Sequence, residues 1–380
     1  MSRTVAHLDL DTFFVSVERL VDSNLHGKPV IIGGTADRGV VASCSYEARA
    51  FGVHSAMPSK IAKQLCPHAI FVRGDMESYS KYSRMVTEII EAKSPVVEKA
   101  SIDEHYIDIT GMDKYVKQSN LWAHELREEI IRETGLPISI GLSQNKTVSK
   151  VATGEAKPNG EKFINLGLEK AFLAPLSIKK IPGIGDKTYT TLRSMGVLKV
   201  ETIQQMPIEL MQSAFGENGT VIWKKSNGID NNPVEPYREQ KSMGTETTFE
   251  KDTIDIAKLK NTLLTMVFDL AYQLRKADKV AGCVTLKLRY SDFQTHTFQC
   301  KIPYTASDHI FIDAVMKLFA KNYSRRVLIR LIGVKFSHIV HGNLQINLFD
   351  DTEEKINLYQ ALDKIRNRFG DKAIMKAVSI

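Results

Sequence analysis

Four carboxylates in two pairs are the first residues that could do chemistry. In His7-Leu8-Asp9-Leu10-Asp11-Thr12-Phe13-Phe14 an apolar strand, Thr4 to Leu8, runs out into Asp9 and Asp11. Hard oxygen ligands at the end of a rigid strand suit Mg²⁺. Asp11 also precedes a helical pattern that starts at Thr12, where it could serve as N-cap, so Asp9 is the better ligand candidate. The second pair, Asp103-Glu104, sits inside an apolar run from Ser101 to Ile109. In a regular strand these two side chains would face opposite sides, so both serve one site only if the backbone turns between them. Burying either acid alone is costly, and a nearby cation is a reasonable compensation.

Other residues suit phosphates. Tyr46 and Arg49 are three apart on a short helical pattern, Ser45 to Gly52. A guanidinium fork with a phenol beside it grips a phosphate well, although an Arg packed over a Tyr ring has the same spacing. Lys157 stands just before Pro158-Asn159-Gly160, so a turn presents its ammonium from a fixed backbone. That lysine reads as a triphosphate contact or as a plain turn lysine. Ile181-Pro182-Gly183-Ile184-Gly185-Asp186-Lys187 lies between two short helical patterns. A Gly-x-Gly hairpin there exposes N–H groups at a helix start, a seat for a phosphate oxygen read without regard to base. A tight structural turn is the alternative.

The elements that must position these residues follow in order. Strands are predicted over 29–34 and 39–43, and a helix from about Tyr79 to Lys93 that Pro95 ends. A helix from Asn120 to Thr134, strand 137–142 and a helix from Asn145 to about Ala152 come next, the last carrying Lys146 and Lys150 on one side. Asn231 to Lys241, polar and with two prolines, is the linker candidate. Beyond it strands and helices alternate as βαββαβ up to about Ile339, the split-βαβ order. Those strands carry Lys287, Arg289, Lys301, Arg330 and Lys335. Along one sheet face they would suit a nucleic-acid backbone, while solvated strand positions explain each singly. Gln345-Ile346-Asn347-Leu348-Phe349 precedes an acidic stretch and a helical pattern from Ile356 to about Phe369.

The bulk composition bounds the class. The 380 residues suggest two to four domains, and 43% hydrophobic with 25% charged residues is ordinary for a globular protein. A net charge of +7 leans toward a polyanionic partner. The four scattered cysteines, Cys44, Cys66, Cys283 and Cys300, suggest neither a zinc site nor a disulfide framework, as in a reducing cytosol. Asp9 and Asp11 interrupt the first apolar run, so no signal peptide is expected, and no apolar segment is long enough to suggest a membrane span.

Taken in order, Asp9-Leu10-Asp11-Thr12-Phe13-Phe14, Tyr46-Glu47-Ala48-Arg49, Ser101-Ile102-Asp103-Glu104, Ala156-Lys157-Pro158-Asn159-Gly160 and Pro182-Gly183-Ile184-Gly185 resemble the motifs of the Y-family DNA polymerases of the bacterial DinB type. The resemblance covers the chain from its first strand to about Ile339. It implies an α+β multidomain right hand: palm 1–11 and 77–168, small fingers 12–76, helical thumb 169–231 with a helix-hairpin-helix, linker 232–241, βαββαβ little finger 242–340 and tail 341–380. It further implies Asp9, Asp103 and Glu104 as catalytic metal carboxylates, with the Leu10 backbone carbonyl, around two Mg²⁺ ions about 4 Å apart. Phe13, Phe14, Ser43, Tyr46, Arg49 and Lys157 would meet the nucleotide, Phe14 as the steric gate against a 2′-hydroxyl. Gly183, Gly185, Lys187, Arg289, Arg330 and Lys335 would meet DNA. Gln345, Ile346, Leu348 and Phe349 are similar to a sliding-clamp-binding peptide, although here some thirty residues follow it.

The implied activity is low-fidelity, template-directed synthesis across damaged template, without proofreading, on primer–template DNA and deoxynucleoside triphosphates. A cytoplasmic monomer is expected. His105 departs from the family's usual small Ala after the acidic pair, and is expected as a packing group and not a ligand. A catalytically silent DNA-binding protein and a nucleotidyl cyclase are the rivals. The three carboxylates argue against the first, and the hairpin motif with the basic βαββαβ segment argues against the second.

Overall fold

The structure, a computed structural model, describes residues 3–34, 38–112, 118–342, 352–370 and 373–374. The chain forms two units, Met1–Arg238 and Glu239–Ile380. In the first, β1 (Val5–Leu10) leads into α1 (Phe13–Val21), followed by β2 (Val30–Gly33), β3 (Val41–Cys44), α2 (Tyr46–Arg49), α3 (Ser59–Leu65) and β4 (Ile70–Val72). Next come α4 (Met76–Lys93), β5 (Val96–Lys99), β6 (Glu104–Asp108), α5 (Ser119–Thr134), β7 (Ile138–Ser143), α6 (Lys146–Ala156) and β8 (Glu161–Phe163). Five further helices follow: α7 (Glu169–Leu173), α8 (Asp186–Ser194), α9 (Val200–Gln205), α10 (Ile208–Phe215) and α11 (Glu217–Ser226).

The sheet expected as the palm has the order β5-β6-β1-β7-β8. β1 lies at its centre, antiparallel to both β6 and β7. Val5, Ala6, Leu8 and Leu10 are all buried, so β1 reads as an apolar run and not as an alternation. Leu8 and Leu10 share one core with Val86 and Ile90 of α4 and Leu126 and Ile130 of α5. Each such side chain contributes roughly 1.5–3 kcal/mol when fully buried. On the sheet, α6 packs so closely that a Cβ at Gly141 would strike the backbone of Ser149 and Thr153. The fingers segment has its own small sheet, β3-β2-β4, over a separate core with Ile31, Val41, Cys44, Met57 and Cys66. Neither α3, β4 nor β8 stood out in the sequence, because three to seven residues are too few to establish a period.

In the helical segment Ile181 and Ile184 are buried in a core with Leu192, Val197 and Ile203, to which Val148 and Val151 of α6 contribute. The stretch read as a linker is packed on the first unit over its first half. Val234 is buried beside Val5 and Tyr106. The Glu98 carboxylate, itself buried, accepts from the Lys146 ammonium at 2.5 Å and from the Glu235 N–H at 2.8 Å. The two prolines marked a stretch outside regular elements, but its burial depends on partners far away in sequence.

The second unit holds β9 (Ser242–Thr253), α12 (Ile256–Lys276), β10 (Lys279–Tyr290), β11 (Thr295–Thr305), α13 (Asp308–Asn322), β12 (Ile329–His341) and α14 (Thr352–Phe369). This is the expected βαββαβ order, as an antiparallel sheet β11-β10-β12-β9. Val284, Leu286 and Leu288 of β10 share its core with Leu263 and Val267 of α12 and Phe311 of α13. α14 docks on these helices: Arg275 of α12 donates to Asp308 and to Asp363, each at 2.6 Å, under the ring of Tyr359. The pentad Gln345 to Phe349 lies outside the described residues. Among the described residues no helix is long and apolar enough to cross a membrane.

Candidate active site

The register of the central sheet builds the acidic cluster. Asp9 pairs directly with Glu104 across β1 and β6. Two residues opposite one another in an antiparallel pair send their side chains to the same face. Asp103 lies one residue before β6 in the hairpin from β5, where its carbonyl accepts the Leu10 N–H at 3.0 Å. The turn between the adjacent acids is held by Ser101, whose Oγ donates to Asp103 Oδ1 at 2.5 Å and accepts the Glu104 N–H at 3.1 Å. Asp9, Asp103 and Glu104 are thus brought together.

Two lysines answer these charges. Lys157 pairs with Asp9 and lies 3.7 Å from Asp11. Lys150 of α6 donates to both Glu104 oxygens, at 2.5 and 2.6 Å. Burial pushes the Asp9 carboxyl up to about 6; Lys157 opposes the rise, and Glu104 and Asp103 add to it. Glu104 is held well below the ordinary carboxylate range by His7 and by Lys150. Geometry favours Lys150 as the stronger partner, since His7 Nε2 is 3.9 Å away, beyond hydrogen-bond reach. His7 is itself lowered to about 4 by burial. These carboxylates outnumber the two ammoniums that meet them, Lys150 and Lys157, and form a donor set that added positive charge would balance. All-oxygen ligands of this kind fit Mg²⁺.

Asp11 is not the N-cap. Thr12, in the left-handed region at φ 44°, occupies that position without a side-chain cap bond. The Asp11 carboxylate turns inward instead, where backbone and side-chain donors of other elements meet it. His105 is fully buried, its Nε2 2.9 Å from Thr87 Oγ1, on the side of β6 away from Glu104.

On the fingers side Tyr46 donates to Asp11 Oδ1 at 3.2 Å, and the exposed Arg49 guanidinium lies 5.0 Å from the Tyr46 ring centroid. The Arg packs on the ring, and its fork remains exposed. Ser45 caps α2 by accepting the Ala48 N–H. Ser43 is buried in β3, opposite Ile32. Phe14 is half-buried and stacks on Tyr79, centroids 4.2 Å apart and planes at 11°. Tyr79 is anchored in turn by its hydroxyl on Glu18 Oε1 at 2.5 Å. The Phe13 ring is buried in the core, so a nucleotide could meet only its backbone. One residue along α1 turns the side chain by about 100°, so the Phe13 ring points into the core while its edge still meets Phe14 and Tyr79, centroids 5.5 and 6.2 Å away.

The DNA candidates divide. Gly183, Gly185 and Lys187 are exposed, and a Cβ at either glycine would meet nothing within 4 Å. Gly183 needs to be glycine for its φ of 106°, whereas Gly185, the N-cap of α8, has an ordinary φ of −82°. Arg289 pairs with Thr295 and Lys335 with Thr285, and strand alternation puts both with Lys287 and Lys301 on the sheet face away from the helices. Arg330 does not join them. It stands at an irregularity in the β12 register, its guanidinium 4.7 Å from the Phe293 ring centroid.

Lys150, His7, Tyr79 and the inward role of Asp11 were not assigned to the site from sequence. Lys150 was visible as one of two lysines on a helix face. Its sister Lys146 pairs with Glu98 instead, and periodicity alone could not tell them apart.

Comparison with known proteins places this geometry. Residues 8–154 match the impB/mucB/samB family and residues 240–348 its C-terminal domain, while residues 179–230 match a DNA polymerase-iota thumb domain. A DNA polymerase IV of Dehalococcoides mccartyi (strain CBDB1) is 39% identical over 98% of this chain and 96% of its own. One from Clostridioides difficile (strain 630) is 34% identical over 96% of this chain and 99% of its own. Among solved structures, a Y-family polymerase chimera matches with a TM-score of 0.79 at 26% identity, covering 89% of this chain and 100% of its own. DinB from Sulfolobus solfataricus matches at 0.63 and 25% identity, over 90% and 100%. The chain belongs to the Y family of DNA polymerases, in its DNA polymerase IV (DinB) branch. It is a DNA-directed DNA polymerase of translesion synthesis that uses a divalent metal, a DNA template and deoxynucleoside triphosphates.

Proposed function

We propose that Asp9, Asp103 and Glu104, with the Leu10 carbonyl, hold two Mg²⁺ ions and form the nucleotidyl-transfer centre. The observation that carries this reading is the pairing of Asp9 with Glu104 beside the Asp103 hairpin. Bound there, the ions supply activation of the primer 3′-hydroxyl and charge neutralisation at the leaving pyrophosphate. The protein supplies position. Arg49, Tyr46 and Lys157, with Ser43 and the backbone at Phe13, orient the triphosphate, and phosphoryl transfer depends mainly on such positioning and charge stabilisation. Phe14, held by Tyr79, blocks a 2′-hydroxyl. Gly183 and Gly185 allow the DNA backbone to approach the start of α8 near Lys187, and Arg289 and Lys335 lie on a sheet face open to phosphates. Arg330 meets the DNA from beside the Phe293 ring, apart from that face.

We further propose an enzyme without proofreading that acts as a monomer in the cytoplasm. Gln345, Ile346, Leu348 and Phe349 would dock on the sliding clamp. Replacing Leu348 and Phe349 by Ala should abolish clamp-stimulated synthesis, and unchanged stimulation would refute that docking. The decisive experiment is primer extension on undamaged template with Mg²⁺. Wild type should extend, and Asp103→Ala with Glu104→Ala should bind DNA without extending it. Extension by the double variant would overturn the assignment.

A further inference from the structure

Asp11 is 1% exposed, is not a proposed metal ligand and caps no helix. Its carboxylate collects donors from three parts of the chain. Oδ2 accepts from Ser139 Oγ of β7 at 2.7 Å and from the Asn159 N–H at 2.6 Å. Oδ1 accepts from the Tyr46 hydroxyl of α2 at 3.2 Å and lies 3.7 Å from the Lys157 ammonium. The same turn is held from its other side. Arg127 of α5, also buried, donates to the Asn159 carbonyl at 2.6 Å and to Asn159 Oδ1 at 2.8 Å. It reaches the strand as well, donating to the Ile138 carbonyl at 3.1 Å. Ser139 completes the connection by accepting the Gly160 N–H at 3.3 Å while it donates to Asp11.

We propose that Asp11 and Arg127 are positioning residues for the incoming nucleotide. Together they fix the turn that carries Lys157, and Asp11 also orients Tyr46. The proposal rests on the reading of Lys157 and Tyr46 as triphosphate contacts. A carboxylate suits the position because it only accepts, and all its neighbours donate. An amide keeps its oxygen on Ser139 and Asn159 only by turning its NH₂ toward Tyr46 and Lys157, which reverses the Tyr46 bond and sets a donor against the ammonium in place of a charge. Charged, buried hydrogen bonds are also the ones whose loss is felt most.

Single-nucleotide insertion kinetics with Mg²⁺ and primer–template DNA test this. The proteins are wild type, Asp11→Asn, Arg127→Lys, Lys157→Met and the double variant Asp11→Asn with Lys157→Met. Melting temperature and DNA affinity are measured for each. Asp11→Asn and Arg127→Lys should raise KM for the nucleotide by about tenfold or more, with kcat changed less and DNA affinity unchanged. The double variant should fall well short of the product of the two single effects, because the part of Asp11 that acts through the Lys157 ammonium is already lost and only its hold on Tyr46 remains to lose. Multiplying effects, or a fall in kcat with KM unchanged, would overturn the proposal. If Lys157→Met raises KM and Asp11→Asn does not, the positioning role alone fails. If Lys157→Met has the wild-type KM, the triphosphate reading fails and takes the proposal with it. Should Asp11→Asn not fold, Arg127→Lys carries the same test, since Arg127 touches none of the proposed ligands.

Discussion

Phe14, proposed above as the gate, owes its fixed position to its support. The ring is half-buried, and its stack on Tyr79 leaves it little freedom. A gate that discriminates by shape must be rigid. Phe14→Ala should therefore raise ribonucleotide incorporation by about tenfold or more, with deoxynucleotide insertion less affected. Unchanged discrimination would make Phe14 a core aromatic and nothing else. His105 carries a different prediction. Burial lowers its pKa to about 3, below the 6.5 of an exposed histidine, so the unfolded chain binds the proton more readily. Stability should then be insensitive to His105 above about pH 6.5 and fall at about 1.4 kcal/mol per pH unit below it. Urea unfolding in chelator between pH 7 and 4.5 measures the slope, which His105→Ala should make shallower. An equal slope in both proteins would show that His105 is not the group that titrates.

At the scale of elements, Gly183 and Gly185 separate backbone need from room for a partner. Gly183→Ala should cost about 1 kcal/mol of stability, because its φ is positive. Gly185→Ala should leave stability alone and weaken DNA binding, because nothing within the chain fills the space its side chain would take. Equal DNA affinity for Gly185→Ala and wild type would remove α8 from the interface. α14 gives a second case. Arg275 is shared between Asp308 and Asp363, both largely buried. Asp363→Ala should lower stability by about 2 kcal/mol in thermal or urea unfolding, since it breaks a buried charged bond. These elements were legible to unequal degrees. α4, α5 and the βαββαβ order showed in apolar spacing, because long amphipathic elements repeat their signal. β4, β8 and α3 did not, and the docking of α14 on Arg275 joins residues 88 apart.

For the whole molecule, the net charge of +7 and a sheet face carrying Lys287, Arg289, Lys301 and Lys335 suit a polyanion gripped without regard to sequence. Affinity for primer–template should fall linearly with salt on a log–log plot. Arg289→Ala with Lys335→Ala should reduce that slope by about two. An unaltered slope would place the DNA elsewhere on this unit.

The sequence by itself determined which residues could carry the chemistry, and in what order. Asp9, Asp103, Glu104, Tyr46, Arg49 and Lys157 stood out because charge and hydroxyl in apolar or turn contexts are local facts. Period and proline content, local as well, also marked the βαββαβ order and a stretch outside regular elements before it. Only the tertiary structure decided who answers those charges. Lys157 reaches Asp9 across 148 residues, Lys150 and not Lys146 takes Glu104, and Asp11 turns from a helix start into a buried hub. Register across β1, β6 and β7 makes those choices, and it emerges when strands far apart in the chain bury their apolar faces together.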